Sequence, residues 1–368
     1  MKQCIRIALI TFFILSLSSA FCFGQTDRTV TNTSKKGSLL IWPLIKVGPA
    51  ETTLILSNDY YQSVKVKCFY RKSFPFFDTN WIFNLMPNQT ISWLASTGKG
   101  PDGKNIPYTG ANAPSLSSSS TAELRCWAVD SGGAQQIAWN WLSGNAIIKE
   151  GVNQTWGYSA WRFAVNSSTT GANAGAPGQI LLTGDSGNYD SCPSGLVFNF
   201  LKQTSVTASK QTTIRLFPKG TVNNNLTLIP CMENFSSNAA PTVFTNLLTY
   251  DEDQTQVSGA SVCVGATNST AHWFSEPLTS SKLMMATGVA NPFFNLATPG
   301  GSIYIHGKVG GSSCTGSSGI PLIGVMSMQF MSTTGPIVGV PPTAIGPGQG
   351  YVKDAADHNT ATPISITW

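Results

Sequence analysis

Six cysteines carry the chain's clearest chemical signal. They are Cys68, Cys126, Cys192, Cys231, Cys263 and Cys314, the six of eight that stay if Cys4 and Cys22 leave with an export signal. No two of them stand at C-x-x-C spacing, so a zinc ribbon or a thioredoxin-type redox site is not indicated. An even number in an exported chain points to disulfides, with fifteen possible connectivities. Cys68 and Cys126 each lie on the apolar side of an alternating segment, VKVKCFY and ELRCWAV. Two inward cysteines on facing strands are placed to bridge two sheets, and this pair is the first expectation. Cys231 and Cys263 both lie next to turns around one strand region, which makes them the second expected pair and leaves Cys192 with Cys314.

Other reactive side chains form weaker patterns. Gly184-Asp185-Ser186-Gly187 matches the tetrapeptide around a trypsin-type nucleophile. The three histidines, His272, His306 and His358, all follow Ser186, so the order His, Asp, Ser cannot be met. A glycosidase needs paired carboxylates about 5–10 Å apart; Glu123, Glu150, Asp185 and Asp251 are available among 17 acidic residues, without a signature. Asp185, Asn188 and Asp190, or Asp251 and Asp253, offer oxygen atoms to Ca²⁺, but neither group makes a full loop of six or more ligands. Met326 and Met328 alternate with Phe330, and Met284, Met285 and His306 lie elsewhere; thioethers suit Cu(I), and the same alternation suits a strand core. No cofactor is expected. Trp139, Trp141, Trp156 and Trp161 cluster in sequence. Either they fill the core and rim of a sandwich or they form a platform on which sugar rings stack; the core is the expectation and the platform the alternative.

The composition limits the setting in which these residues act. Lys2 and Arg6 precede an apolar run up to Phe23, and small residues follow, as in an export signal covering residues 1–24. Charged residues make up only 11% of the 368, well below the usual quarter. The net charge of +5 is spread out and shows no basic stripe with interleaved aromatics, so nucleic acid is not an expected partner. No transmembrane segment is expected once the signal is removed. Seven Asn-x-Ser/Thr triplets fit chance in a chain this rich in Asn, Ser and Thr.

The elements that must position all this read as strands. In residues 52–93, three or four short segments alternate apolar and polar residues between turns. Val64, Val66, Cys68 and Tyr70 fall on one face, with Lys65 and Lys67 on the other. Trp81, Phe83 and Leu85, then Ile91 and Trp93, read as the buried sides of a hairpin around Pro87-Asn88. The run SLLIWPLIKV contains Pro43, which removes a ladder donor and predicts an edge strand or one with a break. Residues 96–121 and 332–350 are long loops rich in Gly, Pro and Ser or Gly and Pro. No segment has a helical period with caps, and no repeat of fixed period is found. The expected order is a polar lead-in (25–36), a β-sandwich domain (37–165), a linker or long loop (166–178) and a second β-rich domain (179–368). The fold class is all-β: an immunoglobulin-like antiparallel β-sandwich, as two packed sandwich domains.

Trp81 lies between Cys68 and Cys126 in a way that resembles the Cys–Trp–Cys pattern of immunoglobulin domains. That family has its first cysteine on the second strand, and a tyrosine two residues before the second cysteine. Here two strand-like runs precede Cys68, and Leu124 takes the tyrosine's place, so the resemblance is one of architecture only. The phrases KGSLLIWPLIKV, TLILSND, VKVKCFY, LMPNQTISW, ELRCWAVD, IAWNWLSGNAII, CPSGLVFNF and LTLIPC resemble a set of exported bacterial β-sandwich proteins of uncharacterised function. That resemblance implies a secreted bacterial β-protein and carries over no catalytic or binding residues.

The expected function is therefore a secreted, periplasmic or cell-surface protein that binds or builds rather than catalyses. Its partner is unknown, with a glycan or another surface protein as candidates. Two alternatives stand beside it: an exported enzyme acting on polysaccharide, and an outer-membrane β-barrel, to which the closing ISITW is similar.

Overall fold

A computed structural model describes residues 29–72, 78–106, 112–116, 120–151, 154–201, 220–236, 243–264, 274–277, 300–307, 321–332, 344–345, 350–351 and 365–368. The export signal of residues 1–24 lies outside them. The described residues are all-β, in several antiparallel sheets, none of which closes into a barrel. Among them no helix is long and apolar enough to cross a membrane.

The first sandwich is built from β1 (Leu39–Val47), β2 (Ala50–Asn58), β3 (Val64–Lys72), β4 (Asp78–Leu85), β5 (Thr90–Leu94), β6 (Ser120–Val129), β7 (Leu142–Glu150), β8 (Gln154–Ser159) and β9 (Trp161–Phe163). One sheet has the order β4-β3-β6-β1-β9, the other β5-β2-β7-β8. In β2 the pleat sends Thr52, Leu54, Leu56 and Asn58 inward, while Glu51, Thr53, Ile55 and Ser57 point outward. β1 and the middle of β6 are buried on both faces, because the sheet that holds them lies between two cores. That is why β1 reads as one apolar run and not as an alternation.

Two local expectations meet the structure differently. First, β1 lies between β6 and β9 and not at an edge, but it has the break that Pro43 predicts: the register with β6 shifts between Trp42 and Ile45. The Tyr158 hydroxyl serves the backbone freed there, accepting from Leu44 N at 3.0 Å and donating to Leu44 O. Second, β4 and β5 form no hairpin. Their apolar sides both face the core, but from opposite sheets, so the turn between them crosses the sandwich.

The later chain adds β10 (Gln179–Leu181), β11 (Gly195–Leu201), β12 (Gly220–Pro230), β13 (Glu233–Asn234), β14 (Val243–Asp251), β15 (Gln256–Val264), β16 (Phe274–Pro277), β17 (Gly300–Gly307), β18 (Leu322–Ser332), β19 (Ala344–Ile345), β20 (Gly350–Tyr351) and β21 (Ser365–Thr367). β10, β21 and β13 make a small separate sheet. The others form sheets of order β15-β14-β17-β11-β20 and β16-β12-β18-β19.

Those two orders reproduce the first sandwich strand for strand. β1 through β9 correspond to β11, β12, β14, β15, β16, β17, β18, β19 and β20. The registers agree as well. Leu40 pairs with Cys126, which pairs with Cys68; Leu196 pairs with Ile305, which pairs with Leu247. Leu56 stands between Ile91 and Gly144, and Leu228 between Phe274 and Gly324. A Cβ on Gly144 would lie 2.2 Å from the Trp42 ring, and one on Gly324 would lie 2.5 Å from Thr227 O, so both positions need glycine for want of space. The chain is thus a tandem duplication whose loops differ in length between the copies, which is why no fixed period appears in the sequence.

Each copy keeps part of the immunoglobulin plan. The pairs β2–β5 and β3–β6 correspond to that fold's B–E and C–F pairs. However, β1 lies beside β6, where the last immunoglobulin strand belongs, and β7 lies beside β2, where the first belongs. The likeness is therefore one of architecture.

The two sandwiches share apolar contacts. One core fills the first sandwich around Trp42, Phe83 and Trp93. The other begins on the outer face of β1, β3, β6 and β9 with Leu39, Ile41, Phe69, Trp127 and Phe163, and continues into the second sandwich through Leu196, Phe198, Leu228 and Ile305. Residues 166–178 fold against this body: the Gln136 side chain donates to the carbonyls of Ala174, Ala176 and Gln179 at 2.6–2.8 Å.

Candidate functional site

The cysteines are structural. Cys68 and Cys126 are bonded, with Cα atoms 4.1 Å apart. The pair does not cross between sheets as expected: β3 and β6 are neighbours in one sheet, and the two cysteines are direct cross-strand partners. Cys231 is bonded to Cys192, not to Cys263, with Cα atoms 6.4 Å apart. The chain enters β11 just after Cys192 and leaves β12 just before Cys231, so the two meet at the same end of the second sandwich. Cys263 lies on β15, an edge strand of the sheet that holds β11 and faces that of β12, across from Phe244 in register. Cys314 lies outside the described residues, so a pair with Cys192 is replaced by the Cys192–Cys231 bond.

The four tryptophans do not form a platform. Trp139, Trp156 and Trp161 are buried. Trp139 Nε1 donates to Asn58 Oδ1 at 3.0 Å, and Trp161 Nε1 donates to Gly324 O at 3.0 Å across the junction of the sandwiches. Trp156 faces the first core with Tyr158. These rings bury too much apolar area to stay outside, and two of them find a partner for the indole N–H. Only Trp141 is half-exposed.

The other candidates are dispersed. Gly184-Asp185-Ser186-Gly187 is a turn whose glycines have φ of 75° and 79°, closed by Asn188 N on Asp185 O at 3.0 Å and tied to Asn166 O by Gly187 N at 2.8 Å. Asp190 is buried, paired with Lys35, and accepts from Ala164 N at 2.5 Å. Asp251 caps the β14–β15 turn through Thr255 N at 2.8 Å. Glu150 pairs with Lys46 at 2.6 Å. Met326 is core. Among the described residues no three His, Cys, Asp or Glu side chains come together as metal ligands. His272, His358, Met284 and Met285 lie outside them.

Glu123 belongs to a buried charge network with Arg71, Arg125 and Glu233. Arg71 bonds to Glu233, and Arg125 Nε donates to Glu123 at 3.0 Å. Arg125 also donates to the carbonyls of Cys231 and Pro230 at 2.7 and 2.8 Å, and Arg71 to that of Asn234 at 3.0 Å. This network fastens residues 230–234 of the second sandwich onto β3 and β6 of the first.

The structure assembles a site that sequence reasoning missed, at the end of the first sandwich where β2 turns into β3. Tyr60 stacks on Trp141 (centroids 5.0 Å, 25°) and meets Trp139 edge-on (5.1 Å, 82°). Tyr61 lies beside Tyr60 at 4.3 Å and is 67% exposed, the most of any large apolar side chain described. Lys36 Nζ sits 5.5 Å above the Trp141 ring and 3.1 Å from Asp59. Buried Asn58 holds the loop in place, donating to Gln62 O at 2.7 Å and Met86 O at 3.0 Å. Asp59 N bonds to Trp141 O at 3.0 Å, and Asn88 N to Tyr60 O at 2.9 Å. The Tyr60 hydroxyl bonds to Tyr61, which raises its pKa above the usual tyrosine value, with desolvation adding to the effect. The sequence signal was adjacent tyrosines directly after the Ser57-Asn58-Asp59 turn.

This cluster offers flat aromatic faces on a rigid base, with a Lys–Asp pair at its rim. It suits stacking and charge-assisted hydrogen bonding. No protein-family model matches the chain, and no curated protein is significantly similar to it.

Proposed function

We propose that this is an exported bacterial protein, secreted, periplasmic or at the cell surface, that binds or builds without catalysing a reaction. Its contact surface is the Tyr60–Tyr61–Trp141 end of the first sandwich. The observation that carries this reading is the exposure of Tyr61 on a loop fastened at both sides by backbone and Asn58 hydrogen bonds. Such aromatic anchors on held loops give a large contact area at low entropic cost. Two disulfides support an oxidising compartment. The partner is a glycan, whose rings would stack on the aromatic faces, or another surface protein. A glycan array probed with the intact chain and with Tyr61→Ala tests the reading. Retained sugars should bind the variant at least tenfold more weakly, with an unchanged circular dichroism spectrum. Binding that ignores Tyr61, or release of shortened polysaccharide, would overturn it.

A further inference from the structure

The duplication points to a partner for this loop end. Within one molecule the second sandwich docks on the first through the loop that follows β12. Glu233 reaches Arg71 and Arg125, and Phe235 stacks 4.5 Å from Phe69 and 6.4 Å from Trp127. Behind the loop, Ile229, Ile323 and Val325 lie buried on the outward side of β12 and β18. The receiving surface is the outer face of β3, β6 and β1.

The loop after β2 is the first sandwich's copy of that docking loop. The same backbone bond marks both: Asp59 N to Trp141 O at 3.0 Å, and Cys231 N to Pro321 O at 2.9 Å. It too combines an acid with aromatic rings, Asp59 with Tyr60 and Tyr61 against Glu233 with Phe235, although that bond sets Asp59 level with Cys231 and Tyr61 level with Glu233. Behind it, on the matching outer face of β2 and β7, Ile55 is half-buried and Ile147 is 39% exposed. The second sandwich in turn carries a copy of the receiving face. By register, Phe69, Arg71, Arg125 and Trp127 correspond to Leu248, Tyr250, Tyr304 and His306. The first four are buried, whereas the second four are only half-buried.

We infer that the chain associates head to tail with further copies of itself, repeating between molecules the contact its two sandwiches make within one. The loop end of one molecule meets the β14–β17 face of the next. The two surfaces differ, so the contact is heterologous and leaves one of each free at the ends: it builds open chains and not closed dimers. Tyr250 and Tyr304 stand where the internal contact has two arginines, and His306 where it has Trp127; Ser57, Ser143 and Asn145 stand where it has Ile229, Ile323 and Val325. The association is accordingly weaker than the internal one and reversible.

The inference rests on the loop end being a contact surface, as proposed above. Sedimentation of the exported chain over a concentration series tests it. The weight-average mass should rise past that of a dimer, and Tyr61→Ser and Tyr250→Ser should each reduce association at least tenfold. An equimolar mixture of the two variants should form dimers and stop there, since one keeps its receiving face and the other its loop. Tyr61→Ser added to wild type should shorten the chains, a readout independent of how Tyr250→Ser folds. A wild-type monomer at every concentration, a closed dimer, or variants that fail to complement would overturn the inference. If such a monomer still loses glycan binding with Tyr61→Ser, the loop end remains a binding surface for a foreign ligand, and only self-association fails.

Discussion

Replacing Cys68 and Cys126 together by alanine tests the most local claim of the fold, that β3 and β6 are cross-linked neighbours. The bond spans 58 residues. On the chain-entropy account, opening a loop of that length releases roughly 14 cal/mol/K to the unfolded chain, or about 4 kcal/mol at 25 °C. Both sulfurs lie in the first core, with Trp81 across from Cys68, so alanine also leaves space there. The second sandwich has no bond in this place: Leu247 and Ile305 occupy the cysteine positions, and both are buried. Urea unfolding followed by tryptophan fluorescence should show the double variant about 4–6 kcal/mol less stable. The wild type under reducing conditions, which also open Cys192–Cys231 across 39 residues, should lose about 8 kcal/mol. Thiol titration of the native wild type should find both cysteines unreactive. Reactive thiols in the native protein, or a loss below about 1 kcal/mol, which is under what the closed loop requires, would refute the reasoning.

Three further outcomes follow from the structure. Glu233→Gln removes one carboxylate from between Arg71 and Arg125, leaving buried positive charge; it should cost about 3–5 kcal/mol and speed amide exchange in residues 231–235. Gly144→Ala drives a methyl into the Trp42 ring and should cost about 1–3 kcal/mol or more, read as a lower thermal midpoint, whereas Gly151→Ala, with open space around it, is strained only by its φ of 60°. Burial raises the pKa of Tyr70, Tyr158 and Tyr189 above the ordinary tyrosine value. A raised folded-state pKa means stability that is complete below the unfolded value near 10 and is lost as pH rises above it, at up to about 1.4 kcal/mol per pH unit for each residue. Urea midpoints should therefore hold to about pH 10 and fall steeply beyond, with tyrosinate absorbance rising only as the protein unfolds; early tyrosinate in a folded protein would contradict the burial.

Period-2 alternation is a local property, and it made the inward sides of β2, β3 and β6 legible, with Cys68 and Cys126 among them. It also made β4 and β5 legible as strands, but not the sheet each joins, because a turn's residues do not tell a hairpin from a crossing between sheets. The Cys192–Cys231 pair was hidden for a related reason. It depends on β11 starting and β12 ending at one end of a sandwich, and nothing near either cysteine records that. Of the candidate site, Trp141 was among the residues read from the sequence. Trp139, Trp156 and Trp161 were named with it, yet they are buried, because ring type alone does not set depth.

The sequence by itself determined the all-β class, through the alternation of side chains along each strand. It also supplied two strands with inward cysteines, since both cysteines fall on the apolar phase of their own segments; that these strands are neighbours in one sheet was decided by the structure. Tertiary structure alone decided which surfaces are covered. Tyr61 and Phe235 lie in corresponding loops and carry similar rings, yet Phe235 is packed on Phe69 while Tyr61 faces outward. The difference arises because the second sandwich docks on the first, whereas among the described residues nothing of the same chain packs on the first sandwich in the corresponding place. Exposure depends on contacts between residues far apart in sequence, so the duplication and the contact surfaces it leaves are visible only once the strands have paired.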